Sequence, residues 1–179
     1  MNRDEVVERV KKFYKEAFEE TSPRRKGYFG EHIKFVVKYA KELAKEGGAD
    51  EEICEISAWL HDIATLKDEY EGHHIRGMEI ARDFLRGLNY PEEKIQQVEH
   101  CILNHRGSKR GSPETKEAQI IIDADALSHF EDIELLRVAY CNSSDKMLGK
   151  LERSYAKMSE ASREKIKLRF EELKEELRI

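Results

Sequence analysis

His61 and Asp62 stand side by side just after an apolar run through Ile53, Ile56, Ala58, Trp59 and Leu60. An adjacent His-Asp pair carries little meaning alone. Upstream, however, His32 falls on the flank of a second apolar stripe, one helical turn before Val36. Downstream, Asp125 opens the turn Ala124-Asp125-Ala126-Leu127. Two imidazoles and two carboxylates drawn from three helices form a mixed nitrogen and oxygen set. Such a set suits a divalent transition metal such as manganese, iron, nickel, cobalt or zinc. With coordination positions left open, a metal held this way acidifies bound water and polarises a phosphoryl oxygen. Hydrolysis of a phosphoester is the chemistry that follows.

Placing those residues requires helices, and the chain reads as helical almost throughout. Its three prolines and ten glycines fall almost entirely at breaks. A first amphipathic helix spans about 3–20 through Val6, Val7, Val10, Phe13, Tyr14, Ala17 and Phe18, and Ser22-Pro23 is expected to stop it. A second runs from about 30 to 45. Asp50 caps a third, which ends at His61-Asp62. A polar connector over 65–72 leads to a fourth helix, about 73–88. Tyr90-Pro91 opens a fifth that reaches His105. The loop 106–115 separates it from a sixth, about 118–130, where the β-branched run Ile120-Ile121-Ile122 competes with helix-favouring neighbours. Two more stretches, about 132–150 and 151–177, complete an all-α bundle.

A chain of 179 residues is long enough to bury a real core as one domain. Net charge is −5, with no basic excess to suggest stable nucleic-acid binding. Cys54, Cys101 and Cys141 form no CxxC and are expected as buried free thiols of a reducing cytosol. The first twenty residues lack the apolar core of a signal peptide, and no run approaches the ~20 apolar residues of a membrane span. The expectation is a cytoplasmic protein without a membrane contact. Leu151, Tyr155, Met158, Ile166, Phe170, Leu173 and Leu177 make a C-terminal apolar stripe that either packs back on the domain or supplies a homodimer contact.

The pattern His32, His61-Asp62 and Asp125 resembles the H…HD…D signature of the HD superfamily of metal-dependent phosphohydrolases. That resemblance covers about residues 30–130 and implies a compact helical bundle of the HD-domain type. About seven to eight helices are expected, in one domain of residues 1–179 with flanking helices over 1–21 and 132–179. It implies His32, His61, Asp62 and Asp125 as metal ligands, with His61 and Asp62 central to catalysis. The last Asp of the family sits in a segment like ADxL, here Ala124-Asp125-Ala126-Leu127. Asp123 is the fallback, but on a helix it points roughly 200° from Asp125. His73, four residues before Gly77, is similar to the HxxxG segment of dinuclear HD proteins. His105 is like their later histidine, and Asp62 would then bridge two ions. His74 and His100 are spare candidates. Whether one or two ions bind stays open.

The substrate implied is a nucleotide or another small anionic phosphoester. Arg76, Arg106, Lys109 and Arg110 are the candidate contacts, with Lys67 in addition, and Asp123 or Asp68 could orient the water. Two departures narrow the reading. The HD 5′-deoxynucleotidases carry a catalytic Glu three residues after the Asp of the pair, where this chain has Thr65. Cyclic-di-GMP phosphodiesterases of the same superfamily have HDIGK and Gly-Tyr-Pro. Here His61-Asp62 is followed by Ile63-Ala64-Thr65, with no Gly-Tyr-Pro. Two alternatives stand beside hydrolysis: a di-iron oxygenase of HD type, and a non-catalytic module that binds a nucleotide or partner.

Overall fold

Apolar residues at three- and four-residue spacing wind into helices that bury one stripe each, and the chain is built from such helices throughout. The protein is described by a computed structural model covering residues 1–67, 72–107, 113–131 and 133–178, without the side chains of residues 24, 25, 27, 28 and 67. Among the described residues there are nine α-helices and no strand. These are α1 (Arg3–Glu20), α2 (Pro23–Gly47), α3 (Glu51–Leu60), α4 (His73–Gly87), α5 (Glu92–Asn104), α6 (Lys116–Ser128), α7 (Ile133–Ala139), α8 (Ser144–Lys157) and α9 (Glu160–Arg178). A 3-10 turn, Ile63–Lys67, follows the His-Asp pair. No helix among the described residues is long and apolar enough to cross a membrane.

Caps explain several boundaries. Asn2 and Glu5 close a reciprocal box at the start of α1. The Asp50 carboxylate accepts from the Glu52 and Ile53 amides at 2.9 and 3.1 Å, fixing the start of α3. Two boundaries differ from expectation. Ser22-Pro23 ends α1 but also begins α2, because proline lacks only an amide proton that the first helical turn does not use. The C-terminal region holds three helices rather than two. Cys141 and Asn142 take positive φ values of 51° and 58° and break the chain between α7 and α8. Asn142 compensates by donating its amide to Arg137 O at 2.9 Å.

Helix α6 is the axis of the bundle. Ten of its residues are buried, and α2, α3, α5, α8 and α9 all pack on it. Burial on every side decides the fate of Ile120, Ile121 and Ile122: packing outweighs their modest helix disfavour. One core, centred on Ile53, Ile56, Leu85, Ile95 and Ile102, joins α1 through α6. A second joins the end of α6 to α7, α8 and α9 through Leu127, Phe130, Leu136, Met147, Leu151 and Phe170. The C-terminal stripe therefore packs back on the domain, with Phe170 stacked on Tyr155 and edge-on to Phe130. Cys54 and Cys101 are buried as expected, whereas Cys141 lies exposed in the α7–α8 break.

Asp123 anchors α9. Its carboxylate accepts from the Ser159 amide at 2.8 Å, the Ser162 hydroxyl at 2.7 Å, the Gln119 amide at 2.7 Å and the Ser159 hydroxyl. A buried carboxylate at a helix N-terminus is favoured by the helix dipole as well as by these bonds. Replacing it leaves several buried donors without an acceptor, at a cost of about 2–3 kcal/mol. Asp123→Ala should therefore lower the melting temperature by about 4–12 °C in calorimetry. An unchanged transition would remove Asp123 from this role.

Candidate metal centre

The ends of three helices, the interior of a fourth and the start of a fifth meet at one cavity of about 930 Å³. Helix α2 contributes His32, the end of α3 contributes His61 and Asp62, and the start of α4 contributes His73. The end of α5 contributes His105, and α6 contributes Asp125 together with His129 at its close. All the imidazoles among them are buried. Thr65, where some relatives carry a catalytic Glu, donates its hydroxyl to Asp62 O at 2.6 Å. It shapes the turn that holds the pair. On α4, a Cβ at Gly77 would stand 3.5 Å from His61 O.

Hydrogen bonds on the outer ring nitrogens orient the histidines. His61 donates Nδ1–H to Ala58 O at 2.8 Å, and His105 donates Nδ1–H to Ile102 O at 2.6 Å. His32 Nδ1 lies 3.0 Å from the Ser128 hydroxyl. That hydroxyl spends its own proton on Asp125 O at 2.7 Å, so His32 must be the donor. In all three rings the Nε2 lone pair is left facing inward, the tautomer a metal ligand needs.

The inward atoms fall into two sets that share Asp62. Asp62 Oδ2 is 3.5 Å from His61 Nε2 and 4.0 Å from His32 Nε2. Asp125 Oδ1 lies 3.5 Å from His32 Nε2 and 3.8 Å from His61 Nε2. Asp62 Oδ1 turns the other way, 3.3 Å from His73 Nε2 and 3.6 Å from His105 Nε2, and those two ring nitrogens are 3.3 Å apart. Metal–ligand bonds of about 2.0–2.2 Å place adjacent ligand atoms ~3–3.5 Å apart, close to the spacing seen. His61 Nε2 is fully buried among these oxygens and has no hydrogen-bond partner. A cation would satisfy it. The donor set thus fits one ion at each end of the Asp62 carboxylate.

Electrostatics keep the groups in ligand form. Burial pushes His32 down to about 4 and His105 down to about 3, despite the opposing carboxylates. His129 is also driven well below its usual value, chiefly by burial. Burial works against the charge of Asp62, yet His61 and His105 hold its carboxyl below the ordinary range. Asp125 sits well below that range because Lys157, then His129 and Lys150, outweigh its burial. Lys157 Nζ is 2.6 Å from Asp125 Oδ2. Burial lowers Lys150, beside it, to about 8.

Other expected site residues are placed elsewhere. Asp123 anchors α9 and faces away from the cluster. Arg76 falls on the flank of α4, where it is exposed and paired with Glu79 at 3.0 Å, because His73 and Gly77 occupy the inner face. Arg106 is exposed but lines the cavity. Lys109, Arg110, Asp68 and the Lys67 side chain lie outside the described residues. His100 sits with Asn104, and neither it nor His74 joins a ligand group among the described residues. His129, Lys150 and Lys157 enter the site without having been singled out. His129 was within reach of sequence reasoning, since it follows Asp125 by four residues and so shares its helix face.

A family model described as HD domain matches residues 29–129. Among solved structures, a predicted HD superfamily hydrolase of an uncultured Thermotogales bacterium is 22% identical, with a TM-score of 0.70 over 99% of this chain and 96% of that one. The Lin1889 protein of Listeria innocua is 18% identical, with a TM-score of 0.65 over 99% and 94%. At such identities the likeness is one of fold. An uncharacterized protein of Clostridium beijerinckii is 32% identical over 106 residues, and the chain spans 64% of that relative's length. The matched segment begins in the helix that carries His32, closes at His129 and takes in more than half of the chain, so the protein belongs to the HD-domain family.

Proposed function

We propose that the protein is a metal-dependent phosphohydrolase acting on a nucleotide or another small phosphoester. The observation that carries this reading is the splayed Asp62 carboxylate, with one oxygen toward His32 and His61 and the other toward His73 and His105. His32, His61, Asp62 and Asp125 would hold one divalent ion, and Asp62, His73 and His105 a second. Bound there, such ions lower the pKa of water and take up charge on phosphoryl oxygens. The chain's own residues do the rest. Ala58 O, Ile102 O and Ser128 hold the imidazoles in their ligand tautomers, and Thr65 fixes the turn that aims Asp62. Lys157 balances Asp125, whose carboxylate would otherwise be buried with no cation. The basic residues over the cavity favour an anionic substrate.

Elemental analysis after loading with manganese, nickel or cobalt should find about two equivalents of metal. His61→Ala and Asp62→Ala should lose metal and phosphate release together, whereas Asp123→Ala should keep both. Metal content unchanged in the first two variants would sink the site. His73→Ala and His105→Ala should each retain about one equivalent. Two equivalents in both would show that neither histidine holds the second ion. Ser128→Ala removes the acceptor that orients His32 and should weaken metal binding by roughly 10–100-fold in a chelator competition. Oxygen uptake by iron-loaded protein, without phosphate release under any metal, would move the protein to the oxygenase reading.

A further inference from the structure

The HD match ends at residue 129, yet the cavity has another wall. Helix α8 lies beyond the matched segment and lines the same cavity with Lys150, Arg153, Ser154 and Lys157. Lys150, Arg153 and Lys157 are spaced by three and four residues, which confines them to one face of a helix. The adjoining flank carries Met147 and Leu151, both fully buried in the second core. Packing therefore fixes α8 by its apolar side and presents its cations to the ligand cluster. Gly107, with φ of +61°, lets the chain after His105 pass over this helix, where a Cβ would stand 3.0 Å from Lys157 Cβ.

Only part of the charge on that wall is spent within the protein. Lys157 pairs with Asp125, but Lys150 and Arg153 make no ion pair or hydrogen bond among the described residues. Lys150 is half-buried. Withdrawing an ammonium from water without a counter-ion is unfavourable, and an anionic ligand removes that penalty. Among the described residues, the basic side chains Arg106, Lys150, Arg153 and Lys157 line the cavity against the carboxylates of Asp62 and Asp125. Divalent ions would add to this excess. A single phosphoryl group on the metal side leaves Lys150 and the exposed Arg153 without a direct anionic partner among the described residues.

We propose that α8 is a phosphate clamp in which Lys150 and Arg153 hold a second phosphoryl group of the substrate, away from the one at the metal centre, so that the site takes a condensed phosphate such as a nucleoside di- or oligophosphate. The clamp rests on the phosphohydrolase reading for the first phosphoryl group only. It differs from an ordinary solvated helix face because its cations line the cavity that the candidate metal ligands share. Arg supplies a planar two-pronged donor and Lys a compact charge, a combination suited to the bridging and terminal oxygens of a diphosphate.

The test is calorimetric titration of manganese-loaded protein, freed of unbound metal, with inorganic pyrophosphate and with orthophosphate. Wild type should bind pyrophosphate at least ~100-fold more tightly. Lys150→Met, which keeps the aliphatic stem, and Arg153→Gln should each weaken pyrophosphate binding by roughly 10-fold or more, with little effect on orthophosphate. Metal content and melting temperature should be unchanged in Arg153→Gln. Equal affinity for the two anions in wild type, or pyrophosphate affinity unchanged in both variants, overturns the clamp. Parallel assays of p-nitrophenyl phosphate hydrolysis separate the two readings. Metal-dependent hydrolysis with no pyrophosphate preference sinks the clamp alone. A preference lost in the variants, without hydrolysis in wild type, keeps the clamp and sinks the phosphohydrolase reading.

Discussion

The constraint on which the rest of the structure depends is the burial of negative charge at Asp62 and Asp125. A carboxylate withdrawn from water must be met by cations or donors, or it neutralises itself by taking a proton. Here burial disfavours the charged form of His32, His105 and His129. Lys157 covers one oxygen of Asp125, and His61 Nε2 is left facing carboxylate oxygens without a hydrogen-bond partner among the described residues. A cation entering there would balance it. Helix direction adds to the bias. Helices α3, α5 and α6 all end at the cluster, at His61, His105 and His129, and the C-terminal end of a helix dipole favours a cation.

Those helix ends also solve a second problem with the same atoms. The last carbonyls of a helix lack intrahelical partners. Ala58 O and Ile102 O each accept from the imidazole three residues later, and Asp125 O accepts from Ser128 at the same interval. Each bond occupies an orphan carbonyl and turns a ring or hydroxyl to its task. Local helix termination and ligand orientation are therefore one event. Any shift in where α3 or α5 ends would rotate His61 or His105 out of the cavity, since one residue changes direction by about 100°.

This coupling accounts for what sequence reading reached and what it missed. His32, His61, Asp62, His73, His105 and Asp125 were picked out by residue type and position relative to helix ends, and the fold draws them into one cavity. Asp123 was separable from Asp125 by helical periodicity alone, and α9, which uses Asp123, lies on the other side of α6. Arg76 misled because it sits within the same turn as His73, yet helical geometry sends it to the flank. The start of α2 was placed too late because Ser22-Pro23 both stops one helix and starts the next. The break at Cys141 and Asn142 is not marked by glycine, although both take a left-handed backbone that the local bond from the Asn142 amide to Arg137 O accompanies. Missing that break hid α8 as a separate helix, and with it Lys150 and Lys157. Their role depends on the direction in which a helix returns across the bundle, which spacing along the chain does not encode.

The cavity that results has two chemically opposite walls. On the side built by α2 to α6, neutral imidazoles and carboxylates converge and call for cations. On the side built by α8, ammonium and guanidinium groups converge and call for anions. A site serving only to store metal has no use for the second wall, and a site serving only to bind an anion has no use for the first. Apposing them does what phosphoryl transfer demands, because the reacting group gathers charge on its non-bridging oxygens while the rest of the substrate must be held still. The division of labour also follows the division of the sequence. The segment that matches the HD-domain family carries the candidate ligands, and the helix outside it carries the charges that would select what is brought to them. On the proposed reading, chemistry and selectivity would be set by separate elements meeting across α6, tied together where Lys157 of α8 pairs with Asp125.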